Sequence, residues 1–148
     1  MTDHSTSHNH ELLNLYTHHV RRYLVESGFR REEAPPVVRY VNHWGTHSLI
    51  LYCELDGLSN EEIGAVAERE AEYFRRLGHS FEWKVFDYDI PENLRFILQD
   101  RGYQVEPDES LMVLDISRMP DTLVLNAGPR TRRHRPCMPG GSLTPRPV

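Results

Sequence analysis

Glu82, Asp87 and Asp89, interleaved with Trp83 and Tyr88, are the side chains of this sequence whose types and spacing best suit chemistry. Carboxylates along one strand and just past its end can act as general bases or hold an amine. The two aromatic rings would wall such a pocket. The same residues also read as solvated strand ends, a core tryptophan and a helix cap at Asp89. The candidate substrate pocket is Glu82, Trp83, Asp87 and Tyr88, and no catalytic residue is assigned.

Two other groups of reactive side chains are weaker. His4, His8, His10, His18 and His19 crowd the start of the chain, and the four-residue spacing of His4 and His8 suits a divalent metal on a helix. No Asp, Glu or Cys completes a defined ligand set around them, so no metal site is expected. Cys53 lies in an apolar run and Cys137 in a polar, proline-rich segment. Two such cysteines make a poor disulfide framework and suggest a reducing, cytoplasmic compartment, with Cys53 a small core residue.

The elements that must position these residues follow from periodicity. Leu12, Leu13, Tyr16, Val20, Tyr23 and Leu24 recur at helical spacing over Glu11–Glu26, and Gly28 is the expected stop. Arg30–Pro36 is polar and ends in Pro35-Pro36, which favours extended chain. Val37–Val41 and Ser48–Leu55 read as two strands of a hairpin around Asn42-His43-Trp44-Gly45. The second strand is apolar on both faces, as a central, doubly covered strand would be. Ser59 and Glu62 form a capping box for a helix whose face is Ile63, Val66, Ala67, Ala71, Phe74 and Leu77, closed by Gly78. Ser80–Tyr88 alternates as a strand up to Phe86, where a bulge would fit. A third helix opens near Asp89, Pro91 and Glu92 and closes at Gly102, and Leu111–Ile116 reads as a last strand. The fold class is α/β, a mixed sheet flanked by helices in the order α-β-β-α-β-α-β.

The expected organisation is a disordered start over 1–10, one domain over 11–119 and a disordered Pro/Arg-rich tail over 120–148. The net charge of −5 is uneven: the tail carries five arginines against one aspartate, so the body is strongly acidic. Such a body does not suit nucleic acid, whose binding depends on clustered positive charge. No apolar run approaches the roughly 20 residues of a membrane span. Residues 126–148 are poor in large apolar side chains, which fits either a natural flexible extension or a change of reading frame.

The runs Tyr73-Phe74-Arg75-Arg76-Leu77-Gly78 and Phe81-Glu82-Trp83-Lys84-Val85-Phe86-Asp87-Tyr88-Asp89 carry a resemblance, extended by Leu94…Gly102-Tyr103 and Leu111-Met112-Val113-Leu114-Asp115. Over residues 37–117 the chain resembles the N-terminal domain of two-domain GNAT-family N-acetyltransferases. The resemblance implies a GNAT-like, acyl-CoA N-acyltransferase-like fold and, if activity were retained, acetyl-CoA as cofactor. It also implies a Gly-rich, basic loop ahead of the second helix to hold the pyrophosphate. The segment found there, Leu55-Asp56-Gly57-Leu58-Ser59-Asn60-Glu61-Glu62-Ile63-Gly64, has no basic residue and three carboxylates. The family's proton-donating tyrosine falls on Leu98. No cofactor is therefore expected on this chain. The reading that follows is a degenerate domain, the scaffold or substrate-side half of a tandem acetyltransferase, working beside a catalytic GNAT domain and truncated from it. One alternative is an active enzyme that takes acetyl-CoA in the splay between Ser48–Leu55 and Ser80–Tyr88. The other is a non-enzymatic module that forms a homodimer through an open sheet edge at Leu111–Ile116.

Overall fold

The structure is a computed structural model that describes residues 3–113 and 141–145. It is a mixed α/β arrangement built on one six-stranded sheet. Helix α1 spans Asp3–Leu15 and runs on as a π-helical turn, Tyr16–Arg21. Strands β1 (Phe29–Ala34), β2 (Val37–Asn42) and β3 (Ser48–Cys53) form an antiparallel meander. Helix α2 (Asn60–Leu77) crosses to β4 (Phe81–Val85), which pairs parallel with β3. Helix α3 (Leu94–Asp100) and β5 (Tyr103–Val105) follow, and β6 (Gly141–Pro145) lies between β4 and β5, antiparallel to both. The order across the sheet is β1-β2-β3-β4-β6-β5.

The elements form where patterning and caps coincide. Ser59 accepts from the Glu62 amide while the Glu62 carboxylate accepts from Ser59, so the expected capping box starts α2. Gly78 takes the left-handed conformation (φ 70°) that ends it. Ile63, Ala67 and Phe74 of α2 and Leu94, Ile97 and Leu98 of α3 bury against Ile50, Phe81 and Trp83 on one face of the sheet. Val38, Tyr40, Leu49, Leu51 and Tyr52 form a smaller cluster with Leu24 and Phe29 on the other. Buried on both faces, β3 is the central strand its composition predicts.

Several expectations are corrected. α1 begins at Asp3, so residues 3–10 are helical where disorder was expected. The helical segment ends at Arg21 and not at Gly28, because β1 starts at Phe29 and the chain needs the intervening residues to turn. Arg30–Ala34, expected as polar extended chain, is paired along its length with β2. The strand after α3 is Tyr103–Val105; Leu111, Met112 and Val113 are irregular, and 114–116 lie outside the described residues. Within the tail expected to be disordered, Gly141–Pro145 is a sheet strand, and the rest of that segment lies outside the described residues. β4 ends at Val85 without a bulge at Phe86. The irregularity falls instead between β2 and β3, where Val38 faces Tyr52 and Arg39 faces Ile50, leaving Leu51 as the extra residue. No helix among the described residues is long and apolar enough to cross a membrane.

Candidate functional site

The feature that organises the site is where β3 and β4 part. Their parallel pairing covers only Ser48–Ile50 against Phe81–Trp83. β3 then continues to Cys53 and β4 to Val85 without pairing to each other. Arg21, from the π-helical turn, ties β3 to the turn that follows β4, beside this parting. Its Nε donates to the carbonyl of Leu51, the extra residue of the bulge, at 2.7 Å. Its two terminal nitrogens make a bidentate pair with Asp89 at 2.7 and 2.9 Å. Asp89 is itself fixed by the Phe86 amide, which donates to its Oδ2 at 3.0 Å. The guanidinium carbon lies 3.8 Å from the centre of the Phe86 ring and 5.4 Å from that of Tyr88. Tyr16 tilts against Phe86 at 5.9 Å.

The arrangement is a cation cradle: a carboxylate and a carbonyl in the guanidinium plane, with aromatic faces against it. Arg21 is 2% exposed and the Asp89 side chain 8%. Burial pulls the Arg21 pKa down, but the hydrogen bonds and charge of Asp89 outweigh it and leave the net shift upward. Tyr40 anchors the backbone beneath, donating to the Arg21 carbonyl at 2.8 Å and accepting from the Leu24 amide at 3.1 Å. Next to this cluster, burial and the Asp89 charge push the Cys53 thiol up to about 12. The indole N–H of Trp83 is buried without a hydrogen bond of ordinary geometry, and it acts on that thiol only as a nearby donor dipole.

The four residues expected to line a pocket do not converge. Trp83 is fully buried in the main core, stacked edge-on to Tyr103. Glu82 lies on the opposite face of β4, 3.3 Å from the buried Lys84, which also meets Glu109 at 3.3 Å. Asp87 lines a small cavity of about 100 Å³ with Val85, Phe86, Glu92, Arg95, Val105 and Asp108. Tyr88 accepts from the Thr17 hydroxyl at 3.2 Å and leans on Phe86. Asp89, expected as a helix cap, is instead the counter-ion of Arg21, and the cap position of α3 is Asn93. Sequence reasoning missed Arg21, because an arginine in an amphipathic stripe reads as its polar face.

The entrance to α2 has the acidic character its sequence indicates. Glu62 is held below the usual carboxylate range by the Ser59 amide and hydroxyl. Asp56 and Glu61 are exposed beside it. Gly57 has φ 79° but nothing lies within 4 Å of where its Cβ would be, so it serves the turn and not a close approach. Among the described residues no three His, Cys, Asp or Glu side chains are placed to hold a metal. His10, His18 and His19 line an open groove along the helix with Glu11, Asn14 and Leu15.

No family profile, no curated protein and no solved structure matches this chain.

Proposed function

We propose that the chain is a GNAT-like, acetyltransferase-related domain that does not catalyse by itself and acts as the scaffold or substrate-side half beside a catalytic domain. The succession β3-α2-β4-α3-β5 supports this reading, being the strand–helix–strand–helix–strand order on which the resemblance rests. So does the one parallel pair among the described strands, which part after three residues. The observation that carries the non-catalytic half is the bridge at that parting. Arg21, pinned to the Leu51 carbonyl of β3 and to Asp89 after β4, would stand in the way of an acyl-CoA entering at that parting. The carboxylates at the α2 entrance add repulsion toward a diphosphate, since acidic side chains there compete with an anion for the helix amides. A free Cys53 among core residues supports a reducing, cytoplasmic setting.

Isothermal titration calorimetry with acetyl-CoA tests the proposal. No heat of binding is expected at concentrations of tens of micromolar. Exothermic micromolar binding would overturn it and favour the second reading, an active enzyme with an atypical site. That reading draws on the same parting of β3 and β4 and on the buried Trp83 N–H near it.

A further inference from the structure

From His8 to Arg21, Arg21 is the only buried residue. Its apolar side chains bury little: Leu15 is 50% exposed and Val20 38%, Leu12 and Leu13 are half-buried, and Tyr16 tilts against Phe86 beside Arg21. A helix normally docks through an apolar stripe, whereas this one is pinned at its C-terminal end by a charged head group. The cradle that receives that head is built entirely by other elements: the Leu51 carbonyl on β3, and Asp89, Phe86 and Tyr88 after β4. Asp89 is oriented by a backbone amide and not by Arg21 alone. Its geometry matches a planar fork, with two parallel bonds to one carboxylate, a third bond to a carbonyl, and an aromatic ring stacked on the face.

We infer that this cradle is a recognition site for a guanidinium group, and that Arg21 occupies it from within, making α1 and its π-helical turn a self-docked arm. Tyr40 holds the arm at its hinge, since it grips the Arg21 carbonyl and the Leu24 amide without touching the guanidinium. An arginine side chain presented by a peptide, or a small alkylguanidinium, competes with Arg21 for the same three acceptors. The arm enjoys an effective concentration in the millimolar range, so an outside ligand must work against it. This inference rests on the cradle and not on the acetyltransferase reading; acetyl-CoA binding and guanidinium binding fail independently.

The test uses the full chain in three forms: wild type, Arg21→Met and Arg21→Met/Asp89→Asn. Arg21→Met keeps the apolar stem of the side chain, and Arg21→Ala serves if it does not fold. N-ethylguanidinium is titrated against thermal stability, with ethylammonium as the comparison. Arg21→Met is expected to show a saturable rise in Tm of about 3–5 °C, and ethylammonium to bind about tenfold more weakly because it lacks the fork. Apparent affinity in the wild type should be at least about tenfold below that of Arg21→Met, the tax of a self-occupied site. The double variant should not respond. To separate a peptide arginine from a small guanidinium, wild type is then given an arginine peptide blocked at both ends. Amides of residues 8–20 should exchange about tenfold faster at saturation, as the arm opens locally. The inference is overturned by no guanidinium response in Arg21→Met, by equal affinity in wild type and Arg21→Met, by a response that survives Asp89→Asn, or by arm exchange that the peptide leaves unchanged.

Discussion

Glu70 is the residue whose removal should cost most. It is fully buried on α2, where it accepts from Arg39 and from Arg69. Arg39 in turn lies 3.7 Å over the Tyr73 ring, and Tyr73 donates to Glu32. Replacing Glu70 with Ala leaves Arg39, which is 12% exposed, with only the longer 3.8 Å approach of Glu32, a loss of up to about 3–5 kcal/mol for such pairs. Urea unfolding of Glu70→Ala should show it, and Arg39→Met/Glu70→Leu should recover most of the loss, since a well-packed apolar pair can replace a buried ion pair. Cys53 gives a second expectation. With its thiol pushed up to about 12 by burial and by Asp89, Cys53 of the folded Cys137→Ser variant should react with iodoacetamide at pH 8 about a thousandfold more slowly than an ordinary thiol. Denaturant should restore the rate. Labelling of Cys53 at an ordinary rate in the folded state would contradict its place beside Trp83. At this scale the sequence was least legible. Cys53 could be assigned to the core from its apolar strand, whereas Trp83 read both as a pocket wall and as core, and nothing local distinguishes Arg21 from any surface arginine, because its partners are 30 and 68 residues away.

The elements were legible wherever a cap or a strong period marked them. α2 announces itself through Ser59, Glu62 and Gly78, and the structure keeps all three roles. Ser59→Ala removes the acceptor for the Glu62 amide and should destabilise by about 1 kcal/mol in urea unfolding. The contribution should also depend on pH. Glu62 is held below its ordinary pKa by its bonds to Ser59, so its part of the box is present above the unfolded carboxylate value and fades as pH falls through the lowered one. The stability gap between wild type and Ser59→Ala should therefore narrow on going from pH 7 to pH 3; a gap that widens would refute the box as its origin. β1 and β5 were hidden for opposite reasons. Four of the six residues of β1 are charged, and its strand state comes from pairing with β2, which no local propensity reports. β5 has only three residues, too few to show alternation, and it is defined by β6 from far along the chain.

At the scale of the whole molecule, a sheet must protect the backbone groups of its edges. Among the described elements, β1 is the outer strand on one side, with Arg30, Arg31, Glu32 and Glu33 along it. Arg30 pairs with Glu32 at 2.9 Å and Arg31 with Glu33 at 2.8 Å, one pair on each face. The His43 amide donates to the Gly28 carbonyl. Antiparallel alternation therefore turns the backbones of Arg30 and Glu32 toward β2 and those of Phe29, Arg31 and Glu33 outward. An outer strand is a template for pairing with a second copy; of the edge expected at Leu111–Ile116, residues 111–113 are irregular and 114–116 lie outside the described residues. A two-fold antiparallel pairing keeps each face on its own side, so the residue on the axis always meets itself. Whichever of Arg30, Arg31, Glu32 or Glu33 lies there confronts its own like charge, and directly opposed like charges are destabilising. The charged edge thus acts as a guard against self-pairing. Light scattering after size exclusion should find a monomer at about 100 μM, a concentration at which a weak edge contact with micromolar affinity would already show. Arg31→Thr removes the conflict in the register centred on residue 31 while leaving two Arg30–Glu32 pairs across the join, and it should promote association that salt weakens. A wild-type dimer that Arg31→Thr leaves unchanged would mean that this edge is not what governs assembly.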